Sequence, residues 1–243
     1  MNRIALILAA GKGARMKSDL PKPLVPFLGF PIVQYIVDSF VSAGIKEVNL
    51  VIGYGADLVR AKIGEDVGYV YQLEQKGTAH AVLQAKDEIA WEGKSIVVFV
   101  GDAPLISADS IMKLAEVHEK NGAACSFLTS FFDLDLPYAR VIRNEKGNVT
   151  ACVEELDATK EQLEIKELMS SHFIFNGEKL FEYLPKILPH KKNGEFYLTD
   201  IIQLFIANNL LVQAVSIENY EELVGLNTPE DVVWAENIYQ TKS

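Results

Sequence analysis

Ile4–Leu8 (IALIL) is a continuous apolar run of strand length, and it leads directly into Ala9-Ala10-Gly11-Lys12-Gly13-Ala14-Arg15. This junction constrains the fold more than any other stretch. Small residues and two glycines let backbone N–H groups approach an anion closely. Three cations follow at uneven spacing: Lys12, Arg15 and Lys22. A buried strand feeding a small, basic, glycine-bearing loop is how α/β proteins hold phosphate beyond the carboxyl end of a sheet. On spacing alone, a glycine turn flanked by solvated basic residues is the alternative.

Two standard phosphate loops are excluded. The dinucleotide fingerprint needs a third glycine where Met16 stands, and the Gly-x4-Gly-Lys-Ser/Thr string is absent. The rest of the first half alternates. Lys46–Ile52, Val67–Gln72, Ser95–Val100 and Ala124–Ser130 read as strands. Pro31–Ala43, Ala56–Ile63, Thr78–Ala85 and Ser107–Lys120 read as helices. In the last of these, Ile111, Leu114, Ala115 and His118 share one face, and Ser107 can cap its start. Such alternation predicts an α/β, mostly parallel, doubly wound sheet with its strand ends and loops gathered along one edge.

The second half is less regular. Tyr138–Arg143 and Asn148–Glu155 are set to pair across the Glu145-Lys146-Gly147 turn. Ser171–Phe175 reads as a strand, Glu195–Asn208 as a helix and Val212–Val215 as a strand. Pro229–Gln240 reads as a closing helix with proline in its first turn. Gly64–Asp66 and Leu188–Gly194 are the expected exposed loops.

The 243 residues suffice for one domain with a full core, at 49% hydrophobic and 23% charged. A net charge of −10 disfavours nucleic-acid and anionic-membrane surfaces, while a few local cations still suffice for a nucleotide. No apolar run reaches membrane-spanning length, and no cleavable signal pattern follows Arg3. Cys125 and Cys152 have neither CxxC nor zinc spacing and read as buried free thiols of a cytoplasmic protein.

Leu8-Ala9-Ala10-Gly11-Lys12-Gly13-Ala14-Arg15-Met16, followed by Pro21-Lys22, resembles the signature loop of the sugar-1-phosphate nucleotidyltransferases. The resemblance is strongest to the uridylyltransferase domain of the bifunctional enzymes that make UDP-N-acetylglucosamine. It runs from Ile4 to about Ile238, with Ala14 where the family usually has a hydroxyl. It implies a Rossmann-like three-layer α/β/α sandwich with a smaller sugar-binding lobe. Within a single nucleotidyltransferase domain (1–243), the nucleotide-binding part would span about 1–137 and 227–243, and the sugar lobe about 138–226. No hexapeptide repeat is present, so the β-helix acetyltransferase of those relatives is not expected here. The oligomeric state does not carry over.

The implied substrates are UTP and a sugar 1-phosphate, N-acetylglucosamine 1-phosphate first. The alternatives are another sugar 1-phosphate such as glucose 1-phosphate, a phosphorylated alcohol, or a non-catalytic binder of nucleotide sugars. In the transfer, a sugar-phosphate oxygen attacks the α-phosphorus and pyrophosphate leaves. That chemistry asks for alignment and charge neutralisation rather than a nucleophilic side chain. Arg15 and Lys22 are the expected catalytic cations, and Lys12 is expected at the pyrophosphate end. His80, His118, His172 and His190 are accordingly read as structural.

Ser95–Val100 ends in Gly101-Asp102, which places a lone carboxylate at the sheet's active edge, where it can hold Mg2+ or cap the turn before Pro104. The resemblance favours the metal and adds Asn227 as second ligand. By sequence alone Asn227 reads as a helix cap before Pro229. For the nucleotide, Leu8, Ala9, Ala10, Gly11, Lys12 and Gly13 form the loop. Gln72, whose amide both donates and accepts, suits the uracil edge beside Gly77 and Thr78, and the same edge of thymine equally. For the sugar, the resemblance points to Ala139, Glu154, Glu195, Tyr197 and Thr199. Two family positions are changed: Met169 replaces the asparagine of Asn-Thr-Gly, and Val100 replaces a tyrosine. Such changes bear on preference, because buried hydroxyl-reading groups discriminate strongly.

Overall fold

Residues Ile4 to Ile7 are fully buried because strand β1 (Arg3–Ala9) lies inside a sheet with a helical layer on each face. Its side chains alternate between two cores. Ile4 and Leu6 join one cluster, and Ala5, Ile7 and Ala9 join the other. The computed structural model describes residues 2–242.

Two short strands, β2 (Pro26–Phe27) and β3 (Phe30–Pro31), make a separate hairpin before helix α1 (Ile32–Ser42). The α/β alternation then follows as read: β4 (Glu47–Ile52), α2 (Ala56–Ile63), β5 (Gly68–Tyr71), α3 (Thr78–Leu83), β6 (Ser95–Val100), α4 (Ala108–Asn121) and β7 (Cys125–Phe131). Ser107 caps α4 by accepting from the Ser110 N–H, and Ile111, Leu114, Ala115 and His118 are all buried on its inner face. The hairpin of β8 (Ala139–Arg143) and β9 (Val149–Val153) pairs antiparallel as expected. After it come α5 (Lys160–Leu163), β10 (Glu167–Met169), β11 (Phe173–Asn176), α6 (Gly177–Tyr183), α7 (Asp200–Ala207), β12 (Val212–Ser216) and α8 (Pro229–Lys242).

The sheet runs β5-β4-β1-β6-β11-β7-β10-β8-β9, with β12 also on β7. β1 is parallel to both β4 and β6, β4 to β5, and β12 to β7. β11 is antiparallel to both its neighbours, and so is β10. The result is a mostly parallel sheet flanked by helices, continued at one end by an antiparallel extension. The carboxyl ends of β1, β4 and β6 share one edge, where Ala10, Gly53 and Gly101 begin their loops. A third, smaller core of Met16, Val25, Phe27, Ile32, Leu226, Val232 and Ala235 packs the glycine loop against the start of α8. It brings residues near 15 and 227 together across the chain.

The expected helix Glu195–Asn208 begins only at Asp200. Residues 195–199 are instead drawn onto the segment before α3. Phe196 N–H donates to Lys76 O (2.8 Å), Ala79 N–H to Phe196 O (2.9 Å) and Leu198 N–H to the Thr78 hydroxyl (2.9 Å). These bonds span more than a hundred residues, so local periodicity carries no trace of them. The short elements β2, β3, β10, α5 and α6 were not expected, since runs of two to seven residues give too few periods to read.

Candidate active site

The glycine loop positions its cations by letting the chain fold back on itself. Gly13 adopts φ +67°, and a Cβ there would meet Lys22 Cβ at 2.6 Å. Only a bare glycine lets the Lys22 stem lie against the loop. From there the Lys22 ammonium donates to Asp102 Oδ2 and to Asn227 Oδ1 (2.8 Å). Arg15 Nη2 donates to the same Asn227 oxygen (2.9 Å). Four of the expected residues, Arg15, Lys22, Asp102 and Asn227, thus form one hydrogen-bonded group built from the loop after β1, the end of β6 and the turn before α8. Lys12 stands apart, exposed, with its ammonium 5.4 Å from the centre of the Tyr54 ring.

The cap before α8 differs from the sequence expectation. Thr228 is the capping side chain, accepting from the Asp231 N–H (3.2 Å), while Asp231 Oδ2 accepts from the N–H groups of Thr228 and Asn227. Asn227 is therefore not the cap. Its Nδ2 donates to Gly225 O (3.0 Å), which turns Oδ1 toward the two cations.

Two cavities meet at Asp102. The first, of about 260 Å³, is lined by Leu8, Ala9, Ala10, Gly11, Lys22, Gln72, Gly77 and Thr78, with Val100, Asp102 and Glu195 at its border. It collects most of the residues expected at the nucleotide. Lys12, Gly13 and Arg15 do not line it. Gly77, at φ +102°, is packed so tightly that a Cβ would lie 2.5 Å from Phe196 O. Gln75 lines this cavity too and was not anticipated. Its Nε2 donates to Gln72 O (3.0 Å), and its only sequence signal is its place in the segment between Gln72 and Gly77.

The second cavity, of about 160 Å³, is lined by Val100, Asp102, Tyr138, Ala139, Glu154, Met169, Ser170, Ser171 and Asn227. Of the residues expected at the sugar, it holds Ala139 and Glu154. Glu195 lines the first cavity instead, and Thr199 is buried. Tyr197 lines neither; its hydroxyl accepts from Asn193 Nδ2 (2.6 Å), and its ring lies 5.2 Å from His190. Burial raises the Glu154 carboxyl above its ordinary pKa, and the neighbouring Thr199 only partly offsets this. The Tyr138 hydroxyl accepts from the Gly225 N–H (2.9 Å), and burial pushes its pKa up to about 12. That bond, missed by sequence reading, ties the second cavity to the turn carrying Asn227. Ser170 has little left for a ligand: its hydroxyl donates to Leu223 O (2.6 Å) and lies 3.1 Å from His172 Nδ1.

The histidines are engaged with protein partners. His118 Nδ1 lies 3.1 Å from the Ser126 hydroxyl, His190 Nε2 lies 2.7 Å from Asp157 Oδ2, and His80 Nδ1 lies 3.0 Å from Gln72 Nε2. Burial lowers His118 and His172 to about 4 each, so both are neutral at pH 7. Among the described residues, no three His, Cys, Asp or Glu side chains gather as a metal cage. Asp102 and Asn227 offer two oxygens that already hold one cation, the Lys22 ammonium, between them. Hard oxygens in that number suit Mg2+, which fills its remaining positions with water and phosphate.

Residues 5–174 match the family model described as the MobA-like NTP transferase domain. The bifunctional protein GlmU of Heliobacterium modesticaldum is 37% identical over 240 residues, covering 99% of this chain and 52% of that protein. GlmU of Exiguobacterium sibiricum is 39% identical over 227 residues (93% and 51%), and that of Bacillus cereus 38% over 241 residues (99% and 52%). The chain thus spans about half the length of these relatives. In fold it is similar to a UDP-glucose pyrophosphorylase solved with UDP-glucose, at TM-score 0.74, 20% identity and full coverage of both chains. The family match over residues 5–174, most of the chain, places it in the MobA-like NTP transferase family of nucleotidyltransferases.

Proposed function

We propose that this chain is a UTP-dependent sugar-1-phosphate uridylyltransferase that forms a UDP-sugar and pyrophosphate. The observation that carries the reading is the Lys22 ammonium bound to Asp102 and Asn227 at the junction of the two cavities. One cavity, beside the glycine loop, takes the nucleotide. The other, walled by Ala139, Glu154 and Met169, takes the acceptor. The reacting phosphates then meet at the junction.

In this account the backbone of residues 8–13 and the cavity around Gln72 and Gly77 bind UTP. Lys22 moves from the Asp102 and Asn227 oxygens to the α-phosphate, and Arg15 follows the charge that spreads over the phosphates. Asp102 and Asn227 hold Mg2+, which when bound neutralises phosphate charge. The acceptor's phosphate oxygen forms the new bond to the α-phosphorus as the bond to the β-phosphate oxygen breaks. Alignment of the two phosphates supplies much of the acceleration. Glu154 orients the acceptor. The buried free thiols Cys125 and Cys152 suit a reducing cytoplasm.

Among acceptors, N-acetylglucosamine 1-phosphate is favoured by the likeness to GlmU. One observation favours a second reading, another sugar 1-phosphate: Met169 and Val100 line the acceptor cavity with apolar surface. Pyrophosphate release from UTP with a panel of sugar 1-phosphates tests both readings.

A further inference from the structure

The amide of Gln72 is fixed by two neighbours inside the protein. Its Nε2 donates to Gly77 O (3.1 Å) and lies 3.0 Å from His80 Nδ1. A carbonyl oxygen accepts only, so Gly77 decides which end of the amide is nitrogen. The second amide proton then points at His80 Nδ1, which must offer its lone pair. The neutral imidazole carries its proton on Nε2. Gln84 Nε2 lies 3.4 Å from that nitrogen and donates instead to the His80 carbonyl (3.1 Å), so the shorter contact to Gln72 sets the tautomer.

Both protons of the Gln72 amide are thereby turned away from the ligand. Its Oε1 makes no hydrogen bond to any described residue, and Gln72 lines the nucleotide cavity. The amide that in sequence offers both a donor and an acceptor offers the cavity only an acceptor. We infer that His80 is a positioning residue that sets base selectivity, by locking Gln72 with its oxygen toward the base so that the site selects a ring N–H donor. Uracil carries that donor at N3. Cytosine, nearly the same in shape, has a lone pair there, and two acceptors would face each other. The inference rests on the reading of the first cavity as a nucleoside triphosphate site.

The surroundings of His80 support a neutral ring. Lys76 and Glu74 are the charged groups acting on it, and Leu184, Pro185, Ile187 and Phe196 line a small, mostly apolar cavity with it. Burial, helped by Lys76, lowers its pKa below the ordinary histidine value. A protonated ring would aim Nδ1–H at the Gln72 amide protons, and the Gly77 carbonyl would oppose a flip.

The test is calorimetric binding of UTP and CTP, each with Mg2+, to the wild-type chain, His80→Ala and His80→Gln, alongside 15N NMR of the His80 ring in the wild type. The wild type should prefer UTP by about tenfold or more, the worth of one good hydrogen bond. His80→Ala should shrink that ratio to below about threefold, and His80→Gln, whose amide oxygen can accept from Gln72, should restore it. The NMR spectrum should show a neutral ring protonated at Nε2. A full UTP preference in His80→Ala, or a ring protonated at Nδ1, overturns the inference while leaving the proposed function standing. A wild-type chain that binds UTP and CTP alike, with the Nε2–H tautomer present, overturns the inference too, whereas a folded chain that binds neither nucleotide overturns the proposed function.

Discussion

Lys22 Nζ lies 2.8 Å from Asn227 Oδ1, and the same ammonium is bonded to the carboxylate of Asp102. Residues 22 and 227 come from nearly opposite ends of the chain. The small core of Met16, Phe27, Ile32, Leu226 and Val232 holds them in register. The site is therefore sensitive to the cation itself. Lys22→Ala should lower kcat by about 10²–10³, the scale for losing one preorganised charge-stabilising donor. Steady-state pyrophosphate release measures this directly. Lys22→Arg should rescue poorly, because the Gly13 corner fits a lysine stem and the ammonium contacts two oxygens at one point.

Asp102→Asn keeps the shape of the side chain and removes its charge. Magnesium-dependent turnover should disappear while the circular dichroism spectrum and melting temperature stay near wild type. Near-normal activity at saturating Mg2+ would remove Asp102 from the metal site.

Gly77→Ala tests the seam between the base segment and residues 195–199. The added Cβ would lie 2.5 Å from Phe196 O at a backbone φ of +102°. A strained left-handed residue costs about 1–3 kcal/mol, so urea denaturation should show a loss of that size. UTP affinity should fall as well, because Gly77 O anchors Gln72. A variant as stable as wild type would mean that the seam yields easily.

His118 and His172 give the stability a defined pH dependence. Both fold with pKa values lowered to about 4, against about 6.5 when unfolded, and both are buried. The unfolded chain takes up the protons first, so the stability from keeping these rings neutral is complete above pH 6.5. It is lost as pH falls from 6.5 toward 4. Each histidine should contribute about 1.4 kcal/mol per pH unit over that window. His118→Gln should remove about 1.4 kcal/mol per pH unit of that slope, read as melting temperature against pH.

Much of this was legible in the sequence, and the residues show why. The β1 junction could be read because an apolar run ending in glycines has few uses, and β6 could be read because five of its six residues, Ile96–Val100, are apolar. Ser107 announced α4 through local chemistry alone. The losses came where distant backbone decides. Residues 195–199 are extended by bonds to Lys76, Thr78 and Ala79, so the helix starts at Asp200 and Glu195 lines the nucleotide cavity. Asn227 resembled a cap, yet Thr228 takes that role because Asp231 completes the reciprocal pair. The single orientation of the Gln72 amide was hidden as well, since it depends on His80 and Gly77 in space.

The most direct test of the central claim is pyrophosphate release with Mg2+ and UTP against the 1-phosphates of N-acetylglucosamine, glucosamine, glucose and galactose. The account predicts UTP-dependent turnover with at least one of them, giving a UDP-sugar in equal amount to pyrophosphate. Turnover with N-acetylglucosamine 1-phosphate would show that Met169 and Val100 are tolerated in that pocket, and turnover with another sugar would make them the switch. No pyrophosphate from UTP with any of the four, by a folded chain that binds UTP, would contradict the claim.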